Sequence, residues 1–188
     1  MDIGLIIILI VAIVIVAMLW GNYNALVKLD ERVKEAWSDI TVQLKRRSDL
    51  IPNLVESVKG YTKHEEETLK AISDARAAMA GAKTVDATAK ADKEFNSALS
   101  RLMVVAESYP ELKADKNFQQ LSSELSDTED KIQAARRFYN NGAREMNTKI
   151  KQFPTNLLNG MFHFTKYDYY EVDEAEKETI QKAPEVKF

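Results

Sequence analysis

The chain has 188 residues, 29 % of them charged and 45 % hydrophobic, with a net charge of −3. That is the size of one domain with appendages, and the basic excess of a duplex-binding protein is missing. It has no cysteine, which excludes disulfides, thiolate zinc sites and cysteine catalysis, and six glycines and four prolines favour long uninterrupted elements over a loop-rich β fold.

The first element is Ile3–Trp20, IGLIIILIVAIVIVAMLW, 18 positions without a charge. As a helix it spans ~27 Å, close to the thickness of bilayer hydrocarbon. A cleaved signal peptide has a basic n-region, a shorter apolar run and a small-residue cleavage site. Met1-Asp2 precedes this run and Trp20 ends it, so the reading is a retained transmembrane helix in contact with lipid through residues 3–20. Trp20 and Tyr23 stand where an interfacial aromatic belt is expected. Lys28, Arg32 and Lys34 follow the span and nothing basic precedes it. The positive-inside rule then predicts a single-pass protein of the inner (cytoplasmic) membrane, with its C-terminal body in the cytoplasm.

From Leu26 a heptad begins. Positions 26, 30, 33, 37, 40, 44, 47, 51, 54, 58 and 61 are apolar in nine of eleven cases, the pattern of a helix with a coiled-coil-like seam. Asp30 and Arg47 are the exceptions. A buried charge is costly unless paired. Either the seam drifts and both reach solvent, or they pair with other helices and fix register or oligomer state. The pattern resumes at Ile72 and Met79, and Pro52 is expected to kink or split the helix.

A second helix is predicted over about Asp86–Ser108, with Phe95, Leu99, Leu102 and Ala106 on one face, stopped by Tyr109-Pro110. A third runs over about Asp115–Gln152. Its seam is Phe118, Leu121, Leu125, Thr128, Ile132, Ala135, Tyr139, Gly142, Met146, Ile150 and Phe153. Residues 157–164, LLNGMFHF, form a short apolar segment that either caps the bundle or rests on the membrane. The expected fold is all-α: an N-terminal transmembrane helix, then an antiparallel bundle of three long helices with a short C-terminal helix. The expected organisation is an anchor over 1–21, a helical body over 22–164 and an acidic tail over 165–188.

Residues 135–147, ARRFYNNGAREMN, raise the sharpest question of function. On a wheel of ~100° per residue, Ala135, Tyr139, Gly142 and Met146 share the core face. Arg137, Asn140, Arg144 and Asn147 cluster on nearly the opposite side. That polar stripe is either a solvated face or an interface with another copy or a partner. Asn140-Asn141-Gly142 reads locally as a turn signal, so its place inside a helix implies a packing reason. Gly142 on the core face would permit close helix approach. No glycine-rich loop, Walker pattern or base–nucleophile pair accompanies the stripe.

These segments also resemble a known family. LDERVKEAW at 29–37, LIPNLVE at 50–56, ALSRLMVVAESYPELKA at 98–114, ARRFYN at 135–140 and the terminal PEVKF are similar to the LemA family of bacterial membrane-anchored proteins, over nearly the whole body from Asn22. The resemblance implies one N-terminal membrane helix and an all-helical cytoplasmic domain. It implies no enzyme activity and brings no catalytic residues. The departures, such as Gly142 and Met146, lie in the seam.

The remaining motifs are weak. His64-Glu65-Glu66-Glu67-Thr68 begins like H-E-x-x-H but has Thr68 where the second histidine belongs. Lys45-Arg46-Arg47 is too short for a nucleic-acid arm. Asp127, Glu129 and Asp130 lack the spacing and glycine of a calcium loop, and Asp127 with Lys131 reads as an i,i+4 pair. No catalytic, cofactor or metal residue is assigned, and no nucleic-acid partner is expected. The leading expectation is a non-enzymatic, membrane-anchored scaffold that forms homo-oligomers through its long helices. The alternative is a membrane-tethered adaptor that presents its acidic, aromatic tail to a protein partner. A pilin-like filament lacks its basic leader.

Overall fold

The computed structural model describes residues 2–61 and 65–170. Six helices make up the regular structure of these residues: α1 (Ile3–Lys59), α2 (Glu66–Gly81), α3 (Val85–Glu107), α4 (Pro110–Ala114), α5 (Lys116–Lys151) and α6 (Thr155–Phe162). No strand occurs among the described residues. The fold is all-α, with a long apolar N-terminal helix followed by paired helices.

Pro52 does not end the first helix. It lies inside α1, which continues to Lys59. A proline removes one amide donor, but Ile51, Leu54 and Val58 around it are all buried, so the helical face stays committed to the core. The break falls instead at Gly60 and Tyr61, where the last turn tightens through a Tyr61 N–H to Val58 carbonyl bond of 3.0 Å. At the predicted stop, Pro110 occupies the first turn of the short helix α4, where its missing amide has no helical partner to lose. Capping fixes the other starts. The Thr84 hydroxyl accepts from the Ala87 amide at 3.2 Å, and the Asp115 carboxylate accepts from the Phe118 amide at 2.9 Å; both satisfy otherwise orphaned amides at a helix start.

The chain divides into two compact units: Met1–Asp49 with Ser122–Asp168, and Leu50–Leu121 with Tyr169–Phe188. In the first unit the chain direction of α5 opposes that of α1. Arg32 faces Glu145, Val33 faces Gly142, Trp37 faces Tyr139 and Arg47 faces Glu129. The seam between them buries Leu26, Val33, Ile40 and Leu44 from α1 and Leu125, Ile132, Tyr139, Met146 and Ile150 from α5. These are heptad positions of both sequence patterns. Gly142 sits at the tightest point. A Cβ there would stand 3.1 Å from a Val33 methyl, so the glycine is what lets the backbone of α5 approach α1.

In the second unit α2 and α3 close on each other as a hairpin across the short link at 82–84. Leu69, Ile72, Ala75 and Met79 of α2 are buried, as are Ala91, Phe95, Ala98, Leu102 and Ala106 of α3. Leu112 of α4 and Phe118 of α5 complete the core.

One segment buries nothing. Every residue from Ile3 to Met18 is exposed. It is long and apolar enough to cross a membrane, with a mean hydropathy of 3.3. An exposed apolar surface of this size marks a membrane or protein interaction site.

Candidate functional site

The heptad exceptions resolve differently. Arg47 is 1 % exposed and its guanidinium pairs with Glu129 on α5. A long cation buried in an apolar seam must be paired, and the partner comes from the facing helix. Asp30 is half-buried. It accepts from the Tyr167 hydroxyl at 2.7 Å and pairs with Lys34, one turn along its own helix, at 2.7 Å. Burial pushes the Asp30 carboxyl up, but the bonds from Lys34 and Tyr167 outweigh it and hold the group below the usual carboxylate range.

The polar stripe of α5 divides. Arg137 and Arg144 are exposed and Asn140 is half-buried; Arg144 bonds to Asn141 at 2.7 Å on its own helix. Asn147 is 8 % exposed and works inside the fold. Its amide donates to the Tyr167 carbonyl at 2.8 Å and accepts from the Tyr167 amide at 2.9 Å. The stripe's flank nearest Ala143 is covered by the segment after α6, and only its far side is open.

That segment, Phe164–Tyr170, is packed against the helices, although the sequence alone assigns residues 165–170 to a tail. It has no helix or strand of its own, and side chains satisfy part of its backbone. Besides the two bonds to Asn147, the Tyr139 hydroxyl donates to the Asp168 carbonyl at 2.9 Å. The Tyr139 ring lies 5.6 Å from Trp37. Burial, then the Asp168 charge, pushes the Tyr139 phenol up to about 12. Burial, then the Asp30 bond, does the same for Tyr167, also to about 12. In the second unit Tyr170 is 2 % exposed and Asp92 1 %, and the Tyr170 hydroxyl donates to the Asp92 carboxylate at 2.6 Å. The signal for this strap was its tyrosines, since aromatic residues are depleted in truly disordered segments.

The membrane-belt residues are both exposed, Trp20 at 70 % and Tyr23 at 44 %. Tyr23 meets the Phe164 ring at 6.0 Å. His163 caps α6 in the left-handed region at φ 55°, and His64 lies outside the described residues. Asp127 and Lys131 form the expected helix pair at 2.7 Å. In the second unit a polar groove of about 370 Å³ is lined by Asn53, Glu56, Ser57, Asn117, Gln120 and Leu121. It holds no base–nucleophile pair.

In the first unit the Asp30 carboxyl is shifted down and the Tyr139 and Tyr167 phenols up; the bonds to Asp30 and from Tyr139 tie the segment after α6 to α1 and α5.

Fold and site together define a helical protein with an N-terminal helix of membrane-spanning character, whose long antiparallel pair is closed by a C-terminal aromatic strap. The chain belongs to the LemA family, whose family model matches residues 36–188. It is similar to Protein LemA of Metamycoplasma hominis, with 34 % identity over 140 residues, which is 73 % of this chain and 64 % of that protein. It is also similar to Magnetosome protein MamQ 2 of Paramagnetospirillum magneticum, at 26 % identity over 83 % of this chain and 67 % of the relative. Magnetosome protein MamQ of Magnetospirillum gryphiswaldense is 25 % identical over 79 % of this chain and 64 % of the relative. The chain therefore spans less than two thirds of the Metamycoplasma protein's length.

Proposed function

We propose that this protein is a non-enzymatic, membrane-anchored scaffold that self-associates through the open face of its long helices, with its body in the cytoplasm. The observation that carries the reading is the continuity of α1. One helix holds both a fully exposed apolar stretch at Ile3–Met18 and a packed seam that starts at Leu26. An anchor of this kind confines copies to two dimensions and raises their effective concentration. The names of the two relatives called magnetosome proteins support a setting at a cellular structure rather than in free solution.

Arg137 and Arg144, with Asn140 at their edge, form the proposed contact face. Asn147 is not part of this face, because Tyr167 occupies it. Arg47 with Glu129 is proposed to set the register of α1 against α5, and Trp20 with Tyr23 to mark the membrane boundary. The test is the mass of full-length protein and of residues 22–188 in mild detergent, by light scattering corrected for detergent. A large discrete full-length assembly that shrinks when Arg137→Ala and Arg144→Ala are combined is expected. A full-length monomer overturns self-association.

A further inference from the structure

The geometry points to a second membrane contact: residues 149–166, centred on α6, form a foot that lies on the surface of an anionic bilayer beside the span. This inference rests on the membrane-anchored reading. Its first support is position. Thr155, the first residue of α6, is 1 % exposed, and its hydroxyl bonds to the Asn22 side chain at 3.3 Å. Asn22 in turn donates to the Met18 carbonyl, in the last turns of the apolar stretch, at 2.9 Å. Past the other end of α6, Phe164 meets Tyr23. The segment is thus pinned at both ends to adjacent residues of α1, at the level where the apolar stretch ends.

The second support is the side chains that this placement leaves open. Phe153 is 77 % exposed and Leu157 71 %. In the described body beyond Tyr23 these are the most exposed large apolar side chains. Large rings and branched chains at that level suit the headgroup–acyl boundary, as in interfacial helices.

The third support is charge. The chain is acidic overall, at −3. Yet residues 146–167 contain no Asp or Glu and include Lys149, Lys151 and Lys166. Residues 3–29 also contain no Asp or Glu and include Lys28. The two stretches that meet at this level are thus the two longest acid-free stretches of an acidic protein. A lysine near an anionic leaflet is attracted within a Debye length, and several act together. The occupant that fits apolar side chains, lysines and an adjoining span is a lipid surface with anionic headgroups.

The absence of cysteine makes a clean test available. Full-length protein with one environment-sensitive fluorophore is reconstituted into phosphatidylethanolamine–phosphatidylglycerol vesicles at Asn156→Cys, Ile10→Cys or Val42→Cys. Lipids carrying a shallow or a deep spin label act as quenchers. Position 156 should be quenched by the shallow label about twofold or more above position 42, and position 10 by the deep label, as expected for a surface helix beside a span. Adding Phe153→Ser and Leu157→Ser should return position 156 to the level of position 42 while leaving position 10 unchanged. In phosphatidylcholine vesicles the quenching at 156 should weaken. If position 10 is deep and 156 behaves like 42, the foot is wrong and the anchor stands. If position 10 is itself in water, the anchored reading fails and takes the foot with it. Equal quenching in both lipid mixtures overturns the role of the lysines.

Discussion

Arg47 and Glu129 show how one residue can carry structural information that its neighbours do not. At its heptad position a leucine would be the cheaper choice for burial, since a desolvated ion pair seldom outperforms apolar packing. The pair is unequal in burial, with side chains 1 % and 29 % exposed. Removing the Glu129 charge takes away one compensating partner of the deeper charge. Glu129→Gln is therefore expected to destabilise residues 22–188 by about 2 kcal/mol, the range of a hydrogen bond to a charged group. Arg47→Leu combined with Glu129→Leu should cost much less or stabilise, and the test is urea unfolding of each variant. If the double variant also loses register, its assembly mass will change while its melting does not. Asp30 and Tyr167 make a second residue-scale prediction, about pH. The Asp30 carboxyl is held down, so its contribution is present above the ordinary carboxylate pKa and is lost as pH falls through the lower folded value. Tyr167 and Tyr139 are raised from 10 to about 12. Their contribution is complete below pH 10 and disappears between about 10 and 12. Unfolding midpoints at pH 9 and 11 should therefore differ more for the unaltered protein than for Tyr167→Phe. Equal differences would remove the phenol from the argument.

At the scale of elements, the long helices were legible because their seams repeat. Nearly every heptad position that periodicity marks from Leu26 to Val58, and from Phe118 to Ile150, is buried or half-buried. Three features escaped the pattern for physical reasons. Pro52 is expected to kink or split the first helix; α1 is not split there, since one lost amide bond does not outweigh three buried neighbours in the same face. Asn147 lies off the core face on a helical wheel, and whether such a position is open depends on what a distant segment covers. The strap at 164–170 has no periodicity, since its bonds run to side chains up to 137 positions away. Gly142 was legible as a close-approach residue, and its packing can be tested. Alanine there gains about 1 kcal/mol of helix propensity but must displace a stiff β-branched Val33, so the two effects nearly cancel. Leucine cannot be accommodated. Gly142→Leu should cost about 2 kcal/mol by overpacking, a fall of roughly 4–8 °C in Tm for a body of this size. A melting temperature unchanged in Gly142→Leu would show that α1 and α5 do not meet closely at that point.

For the whole molecule, the strap decides how the scaffold and adaptor readings must be separated. Deleting the tail from residue 166 confounds them, because Tyr167, Asp168 and Tyr170 belong to the folded body. Removing them strips the partners from Asn147 and Tyr139 and takes a buried ring away from Asp92. Three or more hydrogen bonds at about 1 kcal/mol each and the loss of a buried aromatic should lower stability by roughly 4 kcal/mol or more. Loss of assembly in such a truncation would then report unfolding. A chain ending at Tyr170 keeps every described contact. If the protein is a scaffold, the 1–170 form should melt like full-length protein and keep its assembly mass in detergent, whereas the 1–165 form should lose both. If the protein is an adaptor, 1–170 should keep its fold and lose its partner in a pull-down from membranes. The two truncations differ by only five residues, so a shared loss of assembly with unequal melting would place the self-contact in residues 171–188. That outcome would move the proposed interface away from Arg137 and Arg144.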